Sequence, residues 1–211
     1  MVVIPSHEQV VQRDSFAELL ENNYQKRHLV HINSGSVVPL IKDRIWLVVR
    51  GMVKLSAISV HGDELLLGLV GPNKPFGEPF SSVEAYEAMV LQNCDLLCIP
   101  TSELRESPIL ASAMLDALTL RYRKAEELLA LLGLRRVEDR VRGFLELLAL
   151  DYGRHCHDGL RLNLRLTHQE LASALSTTRV TVTRVIGLLR DEGWLKIDSE
   201  RHLVISPRPR R

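Results

Sequence analysis

The sequence predicts an α+β protein in which a β-rich N-terminal half, a long helix and a C-terminal part of mixed helices and strands follow one another along the chain. Three observations support this prediction. Short β-rich runs separated by turn residues occupy the chain up to about Pro100, an apolar heptad pattern follows, and two amphipathic helices near the C-terminus precede a strand pair. The chain has 211 residues, 45% of them hydrophobic and 25% charged, which suffices for one large or two small globular domains.

The composition excludes several classes of protein. The longest apolar runs fall far short of the roughly 18 residues that a membrane-spanning helix needs, and the first residues do not read as a signal peptide. The three cysteines, Cys94, Cys98 and Cys156, are too few and too odd in number for a disulfide framework. We therefore expect a cytoplasmic protein that does not enter a membrane.

The N-terminal region, residues 1–106, is expected to form a β sandwich or barrel. Its candidate strands cover residues 46–50, 52–60, 64–70 and 88–100, with turn signals at Gly51 and Gly62 between them. A short helix over residues 14–23 is expected to pack on this β domain.

Residues 107–136 are predicted to be a dimerisation helix and hinge, because Ser107 can cap a helix that has Pro108 in its first turn. The a and d positions of its heptads are Ala111, Met114, Leu118, Arg121, Ala125, Leu128 and Leu132. This pattern predicts a coiled coil between two copies, with Met114, Leu118, Ala125, Leu128 and Leu132 as the contacts. The alternative is a helix buried against its own β domain. Arg121 is a charge at a d position, which indicates either a ligand contact or a polar residue that sets the register.

The C-terminal region, residues 137–211, carries a basic excess. From Arg161 onwards ten basic side chains face five acidic ones, a net charge of +5, whereas the rest of the chain has a net charge of −4. This distribution is typical of a nucleic-acid-reading module attached to another domain. The predicted elements are helices over 137–153, 167–175 and 178–192, strands over 160–164, 194–198 and 203–206, and a loose basic tail over 207–211.

The run from Leu166 to Arg190 is the most specific feature of the chain. Thr167 and Glu170 form a capping box, and Ala172 is small enough to let two helices cross closely. The second helix turns Val182, Val185, Ile186 and Leu189 inward and leaves Thr178, Arg179, Thr181 and Arg184 outward, near its N-terminal end. Arginine can bond the O6 and N7 atoms of guanine in the major groove, so this face is suited to reading DNA. A plain helical hairpin with a solvated face is the alternative, but Thr and Val are poor helix formers at exposed positions.

These residues resemble the helix-turn-helix of the CRP/FNR family of bacterial transcription regulators, and the run Thr178–Arg184 is most similar to that of the cyanobacterial nitrogen regulators of that family. The resemblance implies a jelly roll like a cyclic-nucleotide-binding domain, a winged helix-turn-helix with its core at about 167–190, and a homodimer on a palindromic operator. Double-stranded DNA and RNA polymerase are the implied partners. The implied DNA-binding residues are Thr167, His168, Gln169, Thr178, Arg179, Val180, Thr181 and Arg184.

The resemblance also bears on a small-molecule effector. Phe76, Gly77 and Glu78 are similar to the family's effector-pocket loop. The arginine that holds the phosphate of cAMP in that family is missing from residues 80–88, so cAMP is not expected. Arg121 and Glu126 match effector contacts of the nitrogen regulators, which implies 2-oxoglutarate, although the loop arginine that binds its carboxylate is missing too. An unknown ligand, or a regulator without an effector, stays open.

Other functions are less consistent with the residues. Cys94 and Cys98 alternate on one strand face and are expected to be core thiols, and the run 154–158 is expected to be a polar loop without a metal. A cupin-like enzyme would hold a metal with strand histidines, which this β-rich half lacks in the required pattern. An interaction adaptor that has lost DNA binding would have an eroded second helix. We therefore expect no catalytic site and no metal site.

Overall fold

The computed structural model describes residues 27–206. The helix predicted over 14–23 and the basic tail 207–211 lie outside the described residues. The described chain contains both helices and antiparallel sheets, which confirms the α+β class. The boundary between two compact units falls between Glu126 and Glu127. The functional division predicted at residues 106 and 136 stays a prediction.

The first unit is a five-stranded antiparallel sheet followed by helices. The strands are β1 (Val30–Ile32), β2 (Arg44–Ile58), β3 (Glu64–Val70), β4 (Pro75–Phe76) and β5 (Tyr86–Pro100). They are ordered β1-β5-β2-β3, and β4 pairs with β2. A short helix α1 (Ser102–Glu106) precedes the long helix α2 (Pro108–Leu132). The predicted strand over 64–70 is confirmed, whereas the strands predicted over 46–50 and 52–60 are one strand.

Gly51 explains why β2 continues through the turn that was predicted between residues 50 and 52. Its φ of +96° lies in the left-handed region, and a Cβ there would come within 2.3 Å of the carbonyl oxygen of Asn93. The pairing of β2 with β5 shifts register repeatedly between residues 48 and 53. Val48 and Val53 consequently contribute to the same buried core although they lie five residues apart in the strand. A bulge at glycine therefore lets β2 bend around the core, as a rolled sheet requires.

The N-terminal half of α2 packs on the sheet of its own unit. Leu110, Ala113 and Met114 are buried against Ile45 and Leu47. Met114 is only 3% exposed, so its side chain is already used within one chain. The assignment of Met114 to a dimer contact is therefore wrong, because the body of the protein covers that face of the helix.

Three of the most exposed apolar residues of α2 lie one residue after the predicted d positions. Leu115, Tyr122 and Leu129 are 65%, 64% and 70% exposed and recur at intervals of seven residues. Together with the predicted contacts on the same face they form a complete heptad pattern, which we call the exposed seam. Its residues are Leu115, Leu118, Tyr122, Ala125, Leu129 and Leu132; Leu118 and Leu132 are half-buried, and Leu118 also packs partly against the core of its own unit. Leu128 and Arg121 share the heptad position of Met114, and both are half-buried beside the seam rather than on it.

The second unit combines three helices with a four-stranded antiparallel sheet. The helices are α3 (Val137–Tyr152), α4 (His168–Ala174) and α5 (Arg179–Asp191). The strands are β6 (Gly153–Cys156), β7 (Gly159–Leu162), β8 (Leu195–Ile197) and β9 (Leu203–Ile205), in the order β6-β7-β9-β8. The predicted helices are confirmed, but residues 154–156 belong to a strand rather than to a loop. Among residues 27–206, no helix is long and apolar enough to cross a membrane.

Candidate nucleic-acid interface

Helix α4 begins with the capping box that the sequence predicts. The hydroxyl of Thr167 accepts a hydrogen bond from the backbone amide of Glu170 (3.1 Å), and the Glu170 carboxylate accepts one from the Thr167 amide (2.6 Å). These two bonds satisfy amides that the first turn leaves without a helical partner. The start of α4 is therefore fixed by its own sequence.

A tight turn connects α4 to α5. Ser176 adopts a φ of +48°, and the amide of Thr177 donates to the carbonyl of Ala172 (3.0 Å), which closes the end of α4. The hydroxyl of Thr178 then accepts from the amide of Thr181 (3.2 Å) and caps α5. The turn between the two helices is short and closed by hydrogen bonds, so the start of α5 has a defined position relative to α4.

The two helices pack through small and branched side chains. Ala172 has no exposed surface, and α5 buries Val182, Val185, Ile186 and Leu189. His168 adds a polar link, because its Nδ1 lies 2.8 Å from the hydroxyl of Thr183. That hydroxyl donates its one proton to the carbonyl of Arg179 (2.9 Å), so Nδ1 of His168 is the donor to Thr183. His168 thus joins α4 to α5.

The outer face of α5 presents two arginines. Arg179 and Arg184 are both exposed, and neither forms an ion pair with another residue of the described chain. Val180 is 79% exposed between them. The hydroxyls of Thr178 and Thr181 lie 2.9 Å apart and share a hydrogen bond. Thr167 and Gln169 are exposed at the start of α4.

Sequence reasoning missed a second group of residues, in the turn between β8 and β9, which we call the wing turn (residues 198–202). The carboxylate of Asp198 accepts from the amides of Glu200 (2.9 Å) and His202 (2.8 Å). Arg201 adopts a φ of +64° and donates its amide to the carbonyl of Asp198 (3.0 Å). The His202 amide, followed by the nearby Arg161, lowers the pKa of Asp198 below its ordinary value. The turn is therefore closed around an ionised carboxylate.

Arg161 on β7 ties this turn to the sheet. Its Nε donates to Asp198 (2.6 Å), and one Nη donates to Glu200 (2.6 Å) and to Nδ1 of His202 (2.8 Å). Arg165 donates to the carbonyl of Glu200 (2.9 Å). These partners lie 35 to 41 residues apart in the chain, so no local pattern in the sequence could reveal them.

The predicted effector residues are only partly brought together. Phe76 is fully buried in the core of the first unit, whereas Glu78 is exposed. Arg121 turns inward and donates to the carbonyl of Pro75 (3.2 Å). Glu126 is exposed and raises the pKa of the neighbouring Tyr122 through a side-chain hydrogen bond. Phe76 therefore serves packing, and within one chain Glu126 interacts with Tyr122.

Tyr86 is the residue beside Arg121 that sequence reasoning missed. Burial raises the pKa of its phenol, and the nearby charge of Arg121 and the backbone of Gly77 oppose that rise. Its buried hydroxyl has no well-formed hydrogen bond to another residue of the described chain. Arg121, Tyr86 and Gly77 thus place a cation and a buried hydroxyl next to the loop that the sequence singled out.

Comparisons with known proteins agree with this geometry. A model of the Crp-like helix-turn-helix domain matches residues 139–210. The global nitrogen regulator of Nostoc sp. is 33% identical over 174 residues, which cover 78% of this chain and 78% of that protein.

Solved structures are similar over most of the chain. A transcriptional regulator of the CRP/FNR family from Thermus thermophilus is 27% identical with a TM-score of 0.69, covering 85% of this chain and 94% of that one. A cyclic nucleotide-binding domain containing protein from Listeria monocytogenes, 16% identical, shares the fold with a TM-score of 0.77, covering 90% of this chain and 97% of that one. This chain belongs to the CRP/FNR family and is a DNA-binding regulator of transcription.

Proposed function

We propose that the protein acts as a homodimer on a palindromic operator, with Arg179 and Arg184 of each copy reading bases in the major groove. The exposure of both guanidinium groups near the start of a capped helix is the observation that carries this proposal. Five residues at 1.5 Å per residue separate them by about 7.5 Å along the helix axis, which suits neighbouring base pairs. The resemblance to the nitrogen regulators suggests half-sites similar to GTA and TAC.

The other candidate residues have supporting roles in this proposal. Thr178 and Thr181 are short side chains at the helix start, suited to contacts with a phosphate or with a thymine methyl group. Val180 is 79% exposed and offers an apolar surface to the same methyl group. Thr167, His168 and Gln169, at the start of α4, are suited to contacts with the DNA backbone, which position the protein without reading the DNA sequence.

The exposed seam on α2 supports the homodimer. Its residues alternate at intervals of three and four, as two-stranded coiled coils require. A two-fold dimer would present its two α5 helices about one helical turn, roughly 34 Å, apart on the operator. RNA polymerase is the further partner that a regulator of transcription would meet, and the cytoplasm is where we expect both.

The inward-facing Arg121 supports an effector site. Relatives in this family bind small-molecule effectors in general. A guanidinium has five N–H donors, and the carbonyl of Pro75 uses one of those on Arg121. The remaining donors and the Tyr86 hydroxyl are suited to a carboxylate, so we propose a small carboxylic acid such as 2-oxoglutarate. No arginine stands in residues 80–88 to hold a cyclic phosphate, which disfavours cAMP.

The experiment for DNA reading compares Arg184→Ala with Arg190→Ala. Arg190 is also an exposed arginine of α5, but it lies three turns from the helix start and serves as the matched control. The operator is first selected from random duplexes with the wild-type protein, and affinities are measured by fluorescence anisotropy at one salt concentration. We expect Arg184→Ala to lose about 1–3 kcal/mol on the selected duplex and little on a scrambled one. If it kept the wild-type ratio between the two duplexes, α5 would not be the reading helix.

A further inference from the structure

The second unit contains a cleft bounded by helices α4 and α5, strands β8 and β9 and the wing turn. Its volume is about 300 Å³, at the lower end of the range in which proteins bind small organic molecules. Most of the residues that line it are apolar: Leu164, Leu166, Leu171, Ile186, Ile197 and Leu203. The cleft is therefore large enough, and apolar enough, to hold a small ligand.

The apolar lining extends from the core to the surface. Leu171 and Ile186 are 1% and 3% exposed, so they form a packed floor. Ile197 is 44% exposed, on an edge strand of its sheet. An occupant that covered Ile197 would remove apolar surface from water, which favours binding. A bare anion such as phosphate has no apolar surface and would gain nothing from this lining.

The polar side chains of the cleft are basic. They belong to Arg165, His168 and Arg201, and no carboxylate of the described chain lines the cleft. Among residues 27–206, Arg165 donates to the neutral carbonyl of Glu200 (2.9 Å), and the guanidinium of Arg201 has no ion-pair partner. Both guanidinium groups consequently keep donors for an anionic group.

The acidic side chains of the wing turn are already compensated. Asp198 and Glu200 each pair with Arg161 at 2.6 Å. Neither of them lines the cleft. A negatively charged ligand would therefore meet two arginines without an opposing carboxylate inside the cleft.

We propose that this cleft binds a small amphipathic carboxylic acid. Its apolar chain lies against Leu171, Ile186 and Ile197. Its carboxylate pairs with Arg165 and Arg201, because arginine binds carboxylates through two parallel hydrogen bonds. At about 30 Å³ for each water-sized group, the cleft has room for about ten non-hydrogen atoms. Octanoate has about that number of atoms and is therefore the probe.

This site differs from the effector site proposed beside Arg121, which lies in the first unit. An acid in the cleft would lie beside His168, which is one of the proposed DNA-binding residues. An effect of the acid on DNA binding therefore rests on the proposed function, whereas binding of the acid itself does not.

Isothermal titration calorimetry of the full chain with octanoate, without DNA, tests the site. Arg201→Ala should bind octanoate about tenfold more weakly than the wild-type protein, because it removes a charged hydrogen-bond donor. Ile197→Glu brings a carboxylate to an exposed position of the cleft and should also weaken binding. Arg154→Ala is the matched control and should keep the wild-type affinity, since Arg154 is an exposed arginine on β6, at the opposite edge of the sheet from β8.

Two further ligands separate the contributions of chain and charge. Acetate lacks the apolar chain and octylamine lacks the negative charge, so each should bind at least about tenfold more weakly than octanoate. Methyl NMR of labelled isoleucines then locates the bound acid. Octanoate should shift the resonances of Ile186 and Ile197 and leave those of Ile45 and Ile99, in the core of the first unit, unchanged.

Three outcomes would overturn the proposal. They are equal octanoate affinity of the wild-type protein and Arg201→Ala, equal affinity of the wild-type protein for octanoate and acetate, and unchanged resonances of Ile186 and Ile197. Because these measurements contain no DNA, none of the three would bear on Arg184 as a reading residue. A failure of the proposed function would appear instead in the comparison of Arg184→Ala with Arg190→Ala.

Discussion

Ala172 lies on α4, which packs against α5, and it has no exposed surface. Replacing it by Leu would force three extra carbon atoms into a packed contact, at a cost of about 1–3 kcal/mol of unfolding free energy. Thermal unfolding at one protein concentration should therefore show a lower Tm for Ala172→Leu. Gln169→Leu adds an apolar side chain at an exposed position of the same helix and should change the unfolding free energy by less than about 0.5 kcal/mol. Equal Tm values for the two variants would show that the surroundings of Ala172 can accommodate a larger side chain.

Asp198 links the wing turn to pH. Its pKa is lowered in the folded protein, chiefly by the His202 amide, so its contribution to stability is present above the ordinary value of 3.8. That contribution is lost only as the pH falls through the lower, folded pKa. A ¹³C NMR titration of the Asp198 carboxyl carbon should show a midpoint below 3.8, and the midpoint should move upward in Arg161→Ala. A wild-type midpoint at or above 3.8 would contradict the hydrogen-bonded turn.

Residues whose partners are close in sequence could be predicted, and others could not. The roles of Thr167 and Thr178 as helix caps were evident because each cap bonds an amide three residues away. Arg161 and Asp198 are 37 residues apart, so only the folded sheet brings them together. Tyr86 and Arg121 are likewise distant in sequence, which is why the sequence indicated Arg121 as a candidate site residue and not Tyr86.

At the scale of elements, the exposed seam of α2 predicts that two copies of the chain associate through this helix. Leu115 and Leu129 are 65% and 70% exposed, so Glu can replace both without disturbing the core of one chain. In a dimer the substitutions would bring like charges into the interface and separate the copies. Sedimentation should therefore find Leu115→Glu/Leu129→Glu monomeric.

Leu120→Glu is the matched control for that experiment. Leu120 is 44% exposed on the same helix but lies outside the exposed seam, so this variant should still sediment as a dimer. A dimeric double variant would show that the copies associate through some other surface, and a monomeric Leu120→Glu would place the contact on a different face of α2.

The helices of this chain were easier to predict than its strands. Capping residues and a 3.6-residue apolar period mark a helix locally, and α5 was predicted to within one residue at each end. The extent of β2 depends on its pairing across a bulge with a strand 40 residues away, which a local pattern does not show. Two of the predicted contacts on α2, Met114 and Leu128, lie beside the exposed seam rather than on it, because the sequence does not show which face of a helix its own domain covers.

At the scale of the whole molecule, Arg121 tests whether a metabolite controls DNA binding. If the half-buried guanidinium binds a carboxylate, 2-oxoglutarate should tighten binding of the wild-type protein to its operator, and Arg121→Ala should lose that effect. Arg123→Ala removes an exposed arginine two residues away and should keep it. The measurement is operator affinity with and without the metabolite at constant ionic strength. An unchanged wild-type affinity would leave Arg121 with a structural role and point to another effector or to none.

The exposed seam of α2 also affects the concentration at which the protein can persist in a cell. A single chain shows Leu115, Tyr122 and Leu129 to water, and a second copy would cover them. The folded state would then gain stability by mass action as the number of copies rises. Scarce chains would spend more time with the seam uncovered, where chaperones and proteases act on exposed apolar surface. The residues that we propose to join two copies would therefore set a lower limit on the abundance at which the regulator persists.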